Sequence, residues 1–535
     1  MAQTQPLSER FSVQCDQAEV VAFLADPASY AGAERVERFE THGNLVFLAG
    51  SEAWKIKRAV RFPYMDFSTL EKRHAACLRE VEINRQFASA LYLGCVPIAR
   101  SPAGNLAFGS VGSIVEWAVH MRRFEQAALL SSIARANGIP NDIARQLADA
   151  AFAYHEAAKH ASPGSGIGRL RELVYSLPDA LVKSSVFAAN EVRLIQSHLA
   201  QQLSVSAATL DERAANGFVR RCHGDLHLGN IVMWQGRPVA YDAIEFDEAI
   251  ATIDTLYDLA FLLMDLDWHA QRRAASVVLN RYLWRAQNDL DLKGLVALPL
   301  FLSLRALVRA MVTVDRMAQK KAEARDTDIQ DARSHFRAAL DYATPPLPQL
   351  MLIGGMSGTG KTTLAAKLAP WIGGTPGAVH LRSDLERKAL AGVGEFDRLP
   401  ASAYTSDARK HVYAVLREKA RMVLGARRSV IVDAVFAEQD ERQSIEALAV
   451  ALGLPCRGIW LKADPERLAA RVAARRNDAS DATPDVVWAQ LQTYTGSLSS
   501  WWSVVDAQGT VLQSLDRART VFGISIPKYE QEQPA

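Results

Sequence analysis

The chain has 535 residues, 49% of them apolar or aromatic, which is enough for two or more domains with separate cores. Sixty-one basic against 59 acidic residues leave a formal charge of +2, so no global field favours nucleic acid or an anionic membrane, and any polyanion contact is local. Five scattered cysteines with no C-x-x-C pair suggest neither a disulfide framework nor a zinc site, and fit a reducing cytoplasm.

The first ten residues carry no apolar signal core, and the first 40 are expected to be helical. Residues 44–48 and 53–57 read as two short strands around a turn at 49–52, a hairpin. Residues 69–91 follow a charged helical pattern, 113–119 read as a strand, and much of 124–210 is helical, with a break at Ser162-Pro-Gly-Ser-Gly-Ile-Gly168. A small mixed lobe thus precedes a mostly helical one. The longest apolar run, 294–304, is broken by Pro299 and stopped by Arg305; it is too short to span a bilayer and reads as a buried helix.

Within the helical lobe stands Cys222-His-Gly-Asp-Leu-His-Leu-Gly-Asn230, followed by an apolar run and Val239-Ala-Tyr-Asp242. An Asp and an Asn five apart on one loop, with a second Asp a dozen residues later, is how kinase-like folds arrange a base and two metal ligands. Asp225 is the candidate base, and Asn230 and Asp242 are the candidate Mg²⁺ ligands. His223 and His227 read as packed loop histidines that bond backbone groups.

At these residues the chain resembles the aminoglycoside phosphotransferase family, the wider group that includes choline and fructosamine kinases, over most of residues 40–270. The resemblance implies a bilobal protein-kinase-like fold, ATP, and a strand lysine on the α- and β-phosphates. Lys55, in Ala53-Trp-Lys55, is favoured for that lysine, and Lys57, on the same strand face, stays open. The family's helix glutamate corresponds to Glu80, with Glu82 the neighbouring candidate, and residues 115–119 match the position of the adenine-binding lobe connector. Asp254 and Asp258 match a structural Asp-rich helix start. Two departures matter: no G-x-G-x-x-G loop lies between the first strands, which the family often lacks as well, and the basic segment 57–64 has no counterpart in the antibiotic kinases. An aminoglycoside substrate would also need acidic loops, for which Glu245, Asp247 and Glu248 are the visible candidates.

Three prolines in Thr344-Pro-Pro-Leu-Pro348 mark a connector, which divides the chain into residues 1–345 and 346–535. Beyond it, Gly355-Met-Ser-Gly-Thr-Gly-Lys-Thr362 fits G-x-x-x-x-G-K-[ST], between an apolar strand at 350–353 and a helix from 363. In such a loop Gly355, Ser357, Gly358, Thr359, Gly360 and Thr363 would wrap phosphates with backbone N–H groups. Lys361 would reach the β- and γ-phosphates, and the Thr362 hydroxyl would help hold Mg²⁺. Asp433 ends an apolar strand at 429–433, a Walker B-like placement that makes it a second metal residue. Asp384, with Arg387 one turn on, takes the place of a carboxylate that faces the acceptor hydroxyl. These residues resemble the gluconate kinase, polynucleotide kinase and zeta-toxin group over roughly 350–500. That resemblance implies a lid, to which Arg467, Arg471 and Arg475 at four-residue spacing correspond.

The expectation is therefore a two-domain protein, α+β and then α/β. A kinase-like bilobal domain (1–345) is fused to a phosphate-loop NTPase domain (346–535) whose parallel sheet is flanked by helices. The pair resembles bacterial proteins that join an aminoglycoside phosphotransferase-like domain to an AAA-type ATP-binding domain. ATP and Mg²⁺ are expected at both sites, with a small-molecule hydroxyl as phosphoryl acceptor and no membrane; oligomeric state is open. The alternatives are a regulatory ATP hydrolase with one degenerate domain and a 5′-hydroxyl polynucleotide kinase. The latter is weakened because no aromatic residues interleave with the arginines.

Overall fold

The expected hairpin forms because residues 50 and 51 close a two-residue turn, with Gly50 in the left-handed region at φ +55°. Asn44–Ala49 and Glu52–Lys57 pair antiparallel around it, with Val46 opposite Lys55 and Asn44 opposite Lys57. In this computed structural model, which describes residues 17–41, 43–62, 65–161, 167–318, 325–475 and 478–527, the hairpin is the centre of a six-stranded antiparallel sheet. The spatial order is Val36–Glu40, Asn44–Ala49, Glu52–Lys57, Ser113–Arg122, Tyr92–Arg100, Leu106–Phe108.

The expectation of helix throughout the first 40 residues is corrected in part. Residues 1–16 lie outside the described residues; Ala18–Ala25 is helical and Pro27–Ser29 is a single 3₁₀ turn, but Val36–Glu40 is the edge strand of this sheet. Its charged side chains fit an edge that stays mostly in water: Val36 packs partly against the core, Glu37 is half-buried beside Arg123, and Arg38 to Glu40 are exposed.

The period-2 alternation of Glu52–Lys57 sorts its side chains onto two faces. Trp54 and Ile56 join Phe47, Leu45 and Leu24 in one apolar cluster, whereas Lys55 and Lys57 point to the other face. The helix Leu70–Ala88 covers that second face, packing Cys77 and Val81 against Ala53, Val119 and Met121. Its N-terminus is capped by Thr69, whose hydroxyl accepts the Lys72 N–H at 3.3 Å.

After the connector, five parallel strands form a second sheet in the order Val379–Arg382, Val430–Asp433, Leu350–Gly355, Cys456–Lys462, Trp502–Asp506. Leu350–Gly355 is buried along its whole length, as a central parallel strand between covered faces must be. The core under it gathers Met351, Ile353, Leu364, Leu368, Ile459 and Phe522.

By its internal contacts the chain divides into two units. One is Met1–Ile139, Ala153–Ser162 and Gly217–Asp258; the other is Pro140–Phe152, Pro163–Asn216 and Leu259–Ala535. The 344–348 connector thus lies inside the second unit, because helices that precede it pack on the parallel sheet. The edge strand Val379–Arg382 is met by Asn280 of the helix Arg272–Ala286, whose Oδ1 accepts the His380 N–H at 2.7 Å. Arg272 donates to the Pro370 carbonyl at 2.7 Å.

The apolar run at 294–304 belongs to a longer helical stretch, Asp289–Met317, which by length and composition could cross a membrane, with an 18-residue window of mean hydropathy 1.9. In the structure 72% of that window is buried inside the protein, as in a core helix. Cys77, Cys95, Cys222 and Cys456 are free thiols.

Candidate active sites

In the first unit both lysines converge on one carboxylate. Lys55 Nζ lies 3.0 Å from Glu80 Oε1 and 2.5 Å from Asp242 Oδ1; Lys57 Nζ lies 2.6 Å from Glu80 Oε2 and also donates to Glu245. Burial opposes both ammonium charges, but Asp242 and Glu80 hold the Lys55 pKa well above its ordinary value, and Glu245 and Glu80 do the same for Lys57. Burial likewise opposes the Glu80 charge, and the two lysines overcome it and hold that carboxyl below the usual range.

The geometry distinguishes the lysines. Lys57 is sealed, its side chain 0% exposed between two carboxylates, while Lys55 reaches Asp242, whose side chain is 39% exposed. Glu82, the other helix candidate, pairs with Arg79 at the surface. Of the three acids considered for a polycation, Glu245 is buried on Lys57 and Asp247 caps the helix Glu248–Ala251 through the Ala249 N–H. Glu248 pairs with Arg79 and Arg221. In the basic segment Arg58 bonds the Thr41 carbonyl and Arg61 lies 3.6 Å from Asp66; residues 63 and 64 are outside the described residues.

The loop after Val219–Arg221 is held from below. Asp258, fully buried at the start of the helix Thr255–Trp268, accepts the N–H groups of Gly224 (2.9 Å) and His223 (3.2 Å), and lies 3.1 Å from His155 Nε2. Asp254 accepts the Leu256 N–H at the same helix start. His223 Nε2 sits 3.0 Å from the Tyr241 carbonyl, and its Nδ1 faces the Asp225 N–H at 3.3 Å. Burial lowers the His223 pKa, so the ring is neutral with its proton on Nε2. His227 Nδ1 accepts the Gly229 N–H, and its Nε2 lies 3.4 Å from Asp225.

These bonds leave the Asp225 side chain 37% exposed at the loop tip. Asn230 Nδ2 donates to the Asp225 carboxylate (2.9 Å) and carbonyl (3.0 Å), so the amide oxygen is the atom that could serve a cation. Asp242 takes up a left-handed backbone, φ +62°, an uncommon conformation for a residue with a Cβ. Asn230 and Asp242 together offer hard oxygen donors that suit Mg²⁺.

The lobe connector needs a correction. Residues 115–119 lie in the interior strand Ser113–Arg122, which pairs with Glu52–Lys57 on one side and Tyr92–Arg100 on the other. Ala118 and Val119 are engaged in both ladders, and Glu116 and Trp117 in the one with Tyr92–Arg100. The chain leaves the sheet only after Arg122, so a backbone that could meet a base begins there.

In the second unit the phosphate loop is shaped by its glycines. Gly355 (φ +135°), Gly358 (φ +87°) and Gly360 (φ +88°) have backbones that L side chains rarely adopt, and a Cβ on Gly358 would lie 2.7 Å from the Leu468 carbonyl. Thr359 Oγ1 donates to the Met356 carbonyl at 2.8 Å, which tightens the turn, and Lys361 Nζ folds to the same carbonyl at 3.1 Å. Thr362 and Thr363 open the helix Lys361–Leu368.

Thr362 Oγ1 donates to Asp433 Oδ2 at 2.6 Å, and His380 Nε2 lies 3.5 Å from the same oxygen. Burial opposes the Asp433 charge; His380, Lys361 and Thr362 hold it below the usual carboxylate range. Asp384 stands in the first turn of the helix Ser383–Leu390, where burial pushes its pKa up against the pull of Arg382 and Lys361. A carboxylate with raised basicity beside a phosphate loop suits a general base. Lys361, Thr362, Asp384 and Asp433 line one cavity of about 730 Å³.

The arginine face divides. Arg467 bonds the Gln508 carbonyl, and Arg471 donates to the carbonyls of Ala507 (2.9 Å), Gln508 (3.3 Å) and Gly509 (3.0 Å). Arg471 lines the cavity, but its guanidinium anchors the loop after the last strand rather than covering a phosphoryl group. Arg475 lies beyond the end of the helix Pro465–Ala473, lines the cavity and stands 3.6 Å from Asp478; residues 476 and 477 are outside the described residues.

One contact had no signal in the sequence. Gln490, on the helix Pro484–Thr493, accepts the Ser357 N–H (2.8 Å) and donates to Ser357 Oγ (3.0 Å). It ties that helix to the tip of the phosphate loop. A glutamine on an amphipathic helix looks like any surface residue until the fold brings it to the loop.

Residues 43–292 match the family described as Phosphotransferase enzyme family, and residues 350–497 the family described as AAA domain. An uncharacterised protein of Mycobacterium tuberculosis strain H37Rv is 30% identical over 462 residues, covering 84% of this chain and 88% of that protein; a Mycobacterium bovis protein matches to the same extent. Among solved structures, a choline kinase from Cryptosporidium parvum is 10% identical over 60% of this chain and 94% of its own, with a TM-score of 0.38. A gluconokinase from Sinorhizobium meliloti is 19% identical over 35% of this chain and 99% of its own, with a TM-score of 0.25.

Proposed function

The chain belongs to the family of these mycobacterial proteins; it joins a phosphotransferase-type segment to an AAA-type segment in one polypeptide, and we propose that it is an ATP-dependent phosphotransferase with two nucleotide sites, each serving a small-molecule hydroxyl. The observation that carries this reading is the Lys55–Glu80 pair, 3.0 Å apart, with Asp242 2.5 Å from the same ammonium. In this reading the ammonium is the phosphate-binding cation and the carboxylate beside it a metal ligand, and their proximity supports it.

In the first site Asp225 accepts the proton of the attacking hydroxyl, and Asn230 orients it through the 2.9 Å bond to its carboxylate. Lys55 holds phosphate oxygens and is itself fixed by Glu80. In the second site Asp384 takes the acceptor proton, Lys361, which rests on the Met356 carbonyl, would bind phosphate, and Thr362 and Asp433 would hold Mg²⁺. When bound, Mg²⁺·ATP supplies the phosphoryl group and the charge neutralisation that its transfer needs. Both bases act on a hydroxyl of pKa far above neutral, so their contribution is alignment and proton removal as the P–O bond forms.

The test is transfer of radiolabelled γ-phosphate from ATP into a small-molecule extract by the full chain. Asp225→Asn and Lys361→Ala are expected each to remove a different set of labelled products. Free phosphate as the sole labelled product would refute the reading.

A further inference from the structure

Beside the phosphate-loop cavity lies a second one of about 320 Å³, between the helix Arg272–Ala286 and the sheet edge at Val379–Arg382. The two cavities share Thr362, Thr363, Arg382 and Asp478 as wall residues. Arg382 is therefore exposed to both. Its Nε has no hydrogen-bond partner among the described residues, and the residue stands two positions before Asp384.

What holds Arg382 comes from elsewhere in the sequence. Glu395, 8% exposed, lies with Oε1 3.6 Å from Arg382 Nη1 and with Oε2 2.6 Å from Arg281 Nη1. Arg281 is fixed in turn by a two-point pair with Asp149, at 2.9 and 3.0 Å, and its guanidinium lies 4.9 Å from the Trp284 ring centre. The Arg281 contact to Glu395 is the shorter one, so that carboxylate is claimed mainly by Arg281 and only loosely by Arg382. Arg281 falls within the segment that matches the phosphotransferase family, while Arg382 and Glu395 fall within the AAA segment.

We infer that Arg281 is a positioning residue for the phosphate-loop site: by holding Glu395 it keeps Arg382 available to the reaction cavity, so that this site is complete only with a helix from the other family segment. The inference rests on the proposed phosphotransferase reading of the phosphate loop. Physically, removing Arg281 would leave a buried carboxylate whose nearest cation is Arg382. Glu395 would then close on Arg382 and draw it from the cavity wall. Neutralising Glu395 in the same chain removes that pull, so the second substitution should restore what the first destroys.

The experiment uses the full chain carrying Asp225→Asn, which silences the first site, with Mg²⁺·ATP as the probe. Phosphate release is read under single-turnover conditions with enzyme in excess, nucleotide affinity by calorimetry and folding by thermal unfolding. Arg281→Ala is expected to lower turnover about tenfold while ATP affinity stays within about threefold, and Arg281→Ala/Glu395→Gln is expected to return turnover to within about threefold of the parent. A merely structural Arg281 would shift the unfolding midpoint without that recovery of turnover per folded molecule. Unchanged turnover in Arg281→Ala, or a double variant no better than the single one, overturns the inference alone. Turnover in the parent that is insensitive to Lys361→Ala overturns the phosphate-loop reading and the inference with it.

Discussion

Replacing each of the two strand lysines by methionine separates the residue that holds phosphate from the residue that holds the fold. Lys57 is fully buried between Glu80 and Glu245, so Lys57→Met leaves two buried carboxylates with one cation, Lys55, which is already shared with Asp242. Breaking a buried pair by removing one partner costs about 3–5 kcal/mol. For a cooperative unit of 150–250 residues, that corresponds to a fall of roughly 6–20 °C in the unfolding midpoint. Lys55→Met leaves Glu80 still bonded to Lys57 and Asp242 partly in water, so its cost is smaller, about 1.5–3 kcal/mol.

The sign of the pH dependence follows from Glu245, whose carboxyl burial already pushes up against the pull of Lys57. Without Lys57 it rises further, so the folded variant holds a proton that the unfolded chain has released. The stability of Lys57→Met therefore falls as pH rises above the unfolded carboxylate value of about 4.3, and its deficit shrinks below that value. The assay is thermal unfolding from pH 4 to 8, with phosphoryl transfer by the first site read in parallel. Lys57→Met is expected to be the less stable variant and Lys55→Met the inactive one with the higher midpoint of the two. Equal midpoints, or an active Lys55→Met, would refute the division of roles.

Further outcomes are expected elsewhere. Asp225→Asn should lower kcat of the first site by a factor of roughly 10² or more with ATP affinity nearly unchanged, because it removes the base and keeps the shape; unchanged turnover would sink the role. Gly358→Ala should abolish nucleotide binding in the second site, since its Cβ would meet the Leu468 carbonyl at 2.7 Å in a left-handed backbone, and calorimetry with Mg²⁺·ATP reads this directly. A fragment that starts at Pro348 loses the Asn280 bond to the edge strand and should aggregate, whereas one that starts at Leu259 keeps it; light scattering distinguishes the two.

The chemistry of the chain was legible where it depends on residues close together in sequence. The phosphate loop, the Asp225 to Asn230 loop and the hairpin that carries Lys55 are local patterns whose spacing follows from the geometry of one turn. The rest depends on partners far apart. Lys57 looks like a surface charge until the fold sets Glu245, 188 residues away, against it. Arg471 looks like a phosphate arginine because helical spacing shows which face a residue shares, but not that three carbonyls of a distant loop claim it. Val36–Glu40 reads as helix because this edge strand buries only part of Val36, leaves Phe39 exposed and otherwise carries charges, so no period-2 pattern shows. The interior place of Ser113–Arg122 in its sheet is likewise set by pairing on both sides, which no local pattern encodes.

The central claim is that one polypeptide carries two phosphoryl-transfer sites. It is tested most directly by incubating wild type, Asp225→Asn, Lys361→Ala and the double variant with radiolabelled ATP and a small-molecule extract, and resolving the labelled products. The expected result is two product sets, each lost with its own variant and both lost in the double variant. Label that enters no small molecule in any sample, while ATP is still hydrolysed, would contradict it.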